Sequence, residues 1–298
     1  MTPGTQGHLA MFAFSALVAG SFSLGALVAN DIDPAAFNAL RFCIGAVIVG
    51  ALAWQRGVMT RKSFEAPWRY IVLGGLFAIY FVLMFEGLKT ARPISASAVF
   101  TLVPVMAAGF AWLVLRQKLT SRMALALSIG GLGALWVIFR GDLIALMRFD
   151  IGRGEAIFFV GCISHALYTP MVRRLNRGES AVTFTFGTML AGAVLLLVYA
   201  RAELAVIDWG SLRPLVWVTL IYVAVFASAI TIILLQFATL RLPSAKVMAY
   251  TYLTPTWVIA WEIGLGNGVP GPMVLGGVMM TILALYLLLR DDDLPQKS

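Results

Sequence analysis

The sequence is poor in charge. Only 12% of its 298 residues are Asp, Glu, Lys or Arg, against roughly a quarter in an average soluble domain. Hydrophobic residues make up 60%. A water-soluble fold of this length could not hide so much apolar surface, whereas helices solvated by lipid do not need to. Cysteine is almost missing: Cys43 and Cys162 both lie in apolar runs, which excludes a disulfide framework and a thiolate metal site. No stretch holds three consecutive Lys or Arg, so the net charge of +8 is not the footprint of a nucleic-acid binder. Nucleotide-binding and hydrolase signatures (P-loop, HExxH, nucleophile elbow) are absent. The one carboxylate cluster, Asp291-Asp292-Asp293, follows the last apolar run. ATP-driven work within the chain and Mg²⁺-dependent membrane transferase chemistry therefore lack their residues. No cofactor and no metal are expected.

What is present is a succession of apolar runs. A helix needs about 20 such residues to cross the hydrocarbon, and ten segments qualify: 9–29, 34–54, 68–89, 94–115, 120–140, 154–173, 181–200, 213–237, 244–265 and 269–289. The first continues to about Asn30 with no basic residue ahead of it. It is longer than the ~7–15 residues of a signal-peptide core, so a retained first helix is expected. With both termini in the cytoplasm, the inner segments hold 14 Lys and Arg and the outer ones 7, with Arg41 within the membrane. That bias favours both ends inside.

The halves echo one another. Residues 85–93 lead through Pro93 to Pro104, 11 residues on, and residues 235–243 lead through Pro243 to Pro255, 12 residues on. Gly45-Ala46-Val47 in the second run matches Gly192-Ala193-Val194 in the seventh. Five spans per half means that the second copy enters the membrane from the opposite side, the inverted repeat of secondary transporters. The chain thus reads as an all-α membrane protein of ten transmembrane helices in two inverted five-helix repeats, 1–141 and 142–298, the second with a short tail. An inverted repeat within one chain argues against a pore built by oligomeric symmetry, and a monomer is expected to suffice.

Ionisable groups within a bilayer are costly and mark cavities or partners. Four lie within spans: Arg41, Glu86, Glu262 and His165. The first three are either an outer gate or a site for a substrate's charged ends, or else Arg41 is held by an ion pair with Glu86 or Glu262. His165, mid-span, either meets substrate or is a neutral histidine bonded to a neighbouring helix. Phe77, Tyr80, Phe81 and Met84 recur at helical spacing on the third span. Tyr168 follows His165 by one turn, and Tyr250, Thr254 and Trp257 share a face of the ninth span with Tyr252 nearby. Pro104 and Pro255, inside spans four and nine, are candidate bending points.

The stretches Arg41-Phe42-Cys43-Ile44-Gly45-Ala46, Gly87 to Ala96 and His165-Ala166-Leu167-Tyr168 with Arg173-Arg174-Leu175 resemble the EamA-type branch of the drug/metabolite transporter superfamily, over roughly 9–290. Within that branch the chain looks most like exporters of aromatic amino acids. The resemblance implies spans three, four, six and nine around a central cavity and spans five and ten as scaffold. Members often carry Gly-Glu just after spans four and nine; this chain has Arg116-Gln117 and Gly266-Asn267, so no role for that Glu carries over. The expectation is a secondary transporter in a bacterial inner membrane. It would export aromatic or apolar amino acids and related metabolites, with membrane lipid as its other partner, by alternating access. A broad metabolite or drug exporter is the alternative, and a membrane enzyme the rival class.

Overall fold

The computed structural model describes residues 3–139, 141–142, 144, 147 and 151–289. The Asp291–Asp293 run and Arg140, Arg148, Arg290 and Lys297 of the charge count lie outside them. The described residues form helices and no strand. The long ones are α1 (Pro3–Val28), α2 (Pro34–Gln55), α3 (Trp68–Leu88), α4 (Pro93–Leu115), α5 (Ser121–Ile138), α6 (Arg153–Leu175), α7 (Ala181–Tyr199), α8 (Pro214–Thr239), α9 (244–264) and α10 (Pro272–Leu289). Starts are written in local chemistry. Proline stands at the first position of α2, α4 and α8, where no backbone donor is needed. Asp33, Thr120 and Ser180 accept from the first-turn amides of α2, α5 and α7.

Among the described residues nine helices are long and apolar enough to span a membrane. The tenth, α9, is not among them; a 3₁₀ turn at Tyr250–Leu253 divides it into Ser244–Ala249 and Thr254–Gly264. α4 divides at the matching place, into Pro93–Phe100 and Val103–Leu115. The prolines explain both breaks. Pro104 and Pro255 have no N–H to give the carbonyls of Phe100 and Thr251, four residues back, and their rings displace them. α8 is irregular too, with a π segment at Val225–Ile230.

The halves are related by a pseudo-two-fold, visible in which helices touch. α2 packs on α7, α5 on α10 and α4 on α9, each helix on its own repeat mate. α3 packs on α6 while α8 packs on α1, and α4 on α6 while α9 packs on α1. Atomic contacts obey the same exchange. A Cβ on Gly133 would lie 2.8 Å from the Gly277 carbonyl oxygen, and one on Gly277 would lie 2.8 Å from that of Gly133. Gly45 faces the Met189 side chain, and Gly192 faces the Phe42 ring. Glycine permits these approaches because the helix backbones themselves meet.

Two arginines complete the pattern, one at the start of α3 and one at the start of α8. Arg69 Nη1 donates to the Leu175 carbonyl at the end of α6 (2.7 Å), and Nη2 donates to Glu179 Oε1 in the following loop (2.6 Å). Arg213 Nη2 donates to the Leu27 carbonyl at the end of α1 (2.7 Å), and its Nε to Asp31 Oδ2 in the following loop (2.8 Å). Inversion puts these two latches at opposite ends of the bundle. Both are closed. They are unequal: the Arg69 and Glu179 side chains are 1% and 6% exposed, those of Arg213 and Asp31 57% and 24%.

Candidate functional site

The site grows from the contact between α3 and α6. Gly161 of α6 brings that helix against α3, and a Cβ there would sit 3.2 Å from the Tyr80 carbonyl oxygen. Ser164 Oγ donates to the Leu76 carbonyl at 2.8 Å. With the backbones so close, the rings of the two helices interleave. The His165 imidazole lies over the Tyr80 ring (centroids 4.5 Å apart, 22° between planes), with Phe77 edge-on at 5.3 Å. Tyr168 meets Phe77 at 4.0 Å, and Phe81 is 4.7 Å from Tyr80. Phe100, the last residue before the break in α4, stacks on His165 at 5.4 Å and on Tyr80 at 5.8 Å. Phe158 and Phe22 extend the cluster toward α1.

Polar atoms within this aromatic mass are few and unevenly satisfied. Gln236 of α8 donates from Nε2 to Tyr168 Oη (2.8 Å) and accepts from Thr185 Oγ1 (3.1 Å). Tyr80 Oη, both His165 ring nitrogens and the Thr169 hydroxyl are buried with no hydrogen-bond partner among the described residues. Each such atom costs about 1–3 kcal/mol in a folded interior. A ligand with complementary donors and acceptors would recover that energy, which is how a mostly apolar pocket gains its specificity.

Arg41 borders the cluster through Phe81, whose ring centroid lies 3.6 Å from the guanidinium carbon. The residue is fully buried. Its Nε donates to Ser228 Oγ (2.5 Å) and its Nη2 to the Ala227 carbonyl (2.7 Å), both in the π segment of α8. The expected ion pair is therefore not what holds it. Glu86 pairs instead with Lys89 at 2.7 Å, and Glu262 Oε2 accepts from Asn267 Nδ2 at 2.8 Å while its Oε1 is buried without a partner. Neutral oxygens of α8 hold Arg41 instead.

The remaining sequence candidates go elsewhere. Met84 is fully buried one turn beyond Tyr80 and Phe81. Tyr250 Oη bonds His8 Nδ1 (3.1 Å) near the start of α1. Tyr252 lies over Gly130 of α5, and its carbonyl accepts from Thr281 Oγ1 of α10 (3.0 Å). Trp257 Nε1 donates to Ser15 Oγ of α1 (3.2 Å). Thr254 is buried with an unpartnered hydroxyl. The sequence reading missed Phe100, Phe158, Gln236 and Ser228. Only the first two left a signal: Phe100 stands four residues before Pro104, and Phe158, Cys162 and His165 recur at helical spacing. Pro170, inside α6, also went unremarked. It weakens that helix between His165 and the end that Arg69 holds.

Arg116 and Gly266 occupy the places where a Gly-Glu pair is often found. Both have left-handed backbones, φ 56° and 83°, which accounts for glycine as the usual residue there. Gln117 Oε1, in the second place, faces the Ser244 amide at 3.4 Å.

Known proteins bear on this arrangement. The model of the EamA-like transporter family matches residues 5–139 and again 152–290. The uncharacterized transporter YyaM of Bacillus subtilis (strain 168) is 24% identical over 278 residues, covering 92% of this chain and 91% of its own. A protein of known crystal structure matches with a TM-score of 0.70 at 19% identity, over 98% of this chain and 99% of the other. The last shows the fold.

Proposed function

We propose, from the premise that the chain belongs to the EamA-like transporter family, that it is a secondary transporter whose substrate site is the ring cluster between α3 and α6. Its cargo is a small metabolite with a flat apolar body, aromatic or apolar amino acids first. The observation that carries this reading is the placement of unpartnered Tyr80 Oη and His165 nitrogens inside stacked rings, about midway along two spanning helices. The two latches supply the gates. Release of Arg69 from Leu175 and Glu179 would open the site along the last turn of α6, beyond Pro170. Release of Arg213 from Leu27 and Asp31 would open the mate interface between α1 and α8. Alternation between the two is the rocking that inverted repeats allow, with 1–141 and 142–298 as the moving units. The breaks before Pro104 and Pro255 give each unit a joint at the same depth.

The basic bias of the loops supports an orientation with the Arg69 latch and both termini in the cytoplasm of a bacterial inner membrane. Net export fits a metabolite made inside. Gln117 in place of the acidic member of the Gly-Glu pair favours facilitated diffusion or exchange over tight proton coupling. The preponderance of rings over polar anchors also suits a second reading, a broad exporter of aromatic metabolites or drugs.

The test is uptake of labelled tryptophan, phenylalanine, threonine and alanine into liposomes, with and without a pH gradient. Uptake of the aromatic pair that falls at least tenfold in Tyr80→Ala supports the site. Uptake of none of the four sinks the amino-acid assignment, and accumulation against a gradient driven by imposed pH sinks uncoupled transport.

A further inference from the structure

The guanidinium of Arg41 is under-used. Arginine carries five N–H donors. In Arg41 one at Nε goes to Ser228 Oγ and one at Nη2 to the Ala227 carbonyl. The Asn38 Oδ1 atom stands 3.5 Å from Nη1, at the limit of a hydrogen bond. At least two donors, one on each terminal nitrogen, are therefore left without an acceptor among the described residues. One N–H from each terminal nitrogen is the fork that a guanidinium offers a carboxylate in a bidentate pair. No carboxylate among the described residues pairs with Arg41, and every oxygen that it does reach is neutral. A buried charge answered only by neutral oxygens is unusual within a membrane, where cations face a partner or a pathway. One face of the guanidinium rests on the Phe81 ring at 3.6 Å, and Phe81 lies 4.7 Å from Tyr80 and 5.3 Å from Phe77. A cation with a free fork thus adjoins a cluster of rings that has its own unpartnered hydroxyl and imidazole.

From this we infer that Arg41 is the carboxylate anchor of the substrate site, and that the transported compounds are aromatic carboxylates. The inference rests on the aromatic site proposed above and narrows its cargo. The ring packs among Phe77, Tyr80 and His165, and the carboxylate lies across Phe81 on the two spare N–H groups. Binding answers the charge of Arg41 from outside the protein. The same contact ties the substrate to the π segment of α8, because Arg41 holds Ser228 and Ala227 with its other donors. A substrate ammonium finds no carboxylate on Arg41's side of the site. Tyr80 Oη and the imidazole are its available acceptors, so the amino group contributes little and acids without one bind as well.

Four indoles separate these claims on the unaltered protein: tryptophan, indole-3-propionate, tryptophanamide and tryptamine. Each is added to the detergent-purified protein, and its half-saturating concentration is read from the rise in melting temperature. Tryptophan and indole-3-propionate are expected to bind at least tenfold more tightly than tryptophanamide and tryptamine. In Arg41→Gln the preference should collapse to about onefold, and Arg41→Lys, which keeps the charge but loses the fork, should retain part of it. If Arg41→Gln does not fold, Ser228→Ala, which loosens the clamp and leaves the fork, should keep the tenfold preference. Equal binding of tryptophan and tryptophanamide overturns the anchor and leaves the aromatic site standing. Binding of none of the four overturns the anchor and the aromatic cargo together.

Discussion

Replacing Glu179 by glutamine is expected to loosen one end of the molecule and leave the other shut. Glu179→Gln keeps the shape of the side chain and one acceptor oxygen for the buried Arg69 guanidinium, and removes the charge together with the second oxygen, which accepts from the Arg177 amide. A hydrogen bond involving a charged group contributes about 1.5–3 kcal/mol and a neutral one about 0.5–1.5 kcal/mol. The latch should therefore weaken by on the order of 1–2 kcal/mol. At about 1.4 kcal/mol per factor of ten, its open-to-closed ratio rises roughly five- to thirtyfold. Cys162 reports the opening. It is fully buried on α6, one turn from His165, and the only other cysteine is Cys43. In a Cys43→Ser background, alkylation of Cys162 by a small maleimide proceeds from the open state, and its rate follows the open population. Asp31→Asn, the same change at the more exposed latch, is worth at most about 1 kcal/mol and less than about fivefold. Alkylation of Glu179→Gln within twofold of the parent, or a larger effect from Asp31→Asn, would refute the latch assignment. The pH dependence is fixed by the same contacts. Burial pushes the Glu179 carboxyl up, but Arg69 and the Arg177 amide more than offset it and hold it below its ordinary value. Its contribution is then complete above the unfolded carboxylate pKa of ~4.3 and fades only as pH falls through the lower folded value. The latch should make the melting temperature no more pH-sensitive between pH 5.5 and 8 in the parent than in Glu179→Gln.

Three other substitutions test separate parts of the structure. His165→Phe keeps the ring in its stack and removes two unpartnered nitrogens; it should raise stability by about 1–2 kcal/mol while lowering tryptophan uptake, and a loss of stability would contradict the burial argument. Gly74→Ala places a Cβ within 2.5–2.7 Å of the Gly192 nitrogen and Thr188 carbonyl, whereas at Gly75 the first neighbour is a Leu195 methyl at 3.7 Å; the former should cost about 1–3 kcal/mol in a melting assay and the latter should be tolerated, so equal effects would mean that α3 and α7 are further apart. Arg116→Gly relieves a left-handed residue worth about 1–2 kcal/mol and forfeits a solvent-side contact with Trp112, so the melting temperature should rise slightly; a fall would show that Arg116 is held by more than its backbone.

Much of this molecule was legible because lipid writes plainly. The second, fourth and seventh spans read as 34–54, 94–115 and 181–200, and form Pro34–Gln55, Pro93–Leu115 and Ala181–Tyr199. The first begins at Pro3 rather than residue 9, because hydropathy marks the edge of the hydrocarbon and not the end of a helix. The stripe of Phe77, Tyr80 and Phe81 came together since α3 is regular, so helical spacing is also spatial spacing. The set on α9 keeps a shared face but meets α1 rather than the rings: Tyr250 reaches His8 and Trp257 reaches Ser15, while Tyr252, in the 3₁₀ turn at Tyr250–Leu253, lies over Gly130 of α5. The partner of Arg41 was out of reach for another reason. A serine hydroxyl and a backbone carbonyl carry no charge or motif by which a sequence announces them.

The central claim is that one site, built around Tyr80 and His165, faces the two sides of the membrane in turn. Counterflow tests it most directly. Liposomes loaded with unlabelled phenylalanine and diluted into labelled tryptophan should accumulate label transiently above the outside concentration, and Tyr80→Ala should abolish the overshoot. A monotonic approach to equilibrium in the parent would mean a pore rather than alternating access, and an undiminished overshoot in Tyr80→Ala would place the site elsewhere.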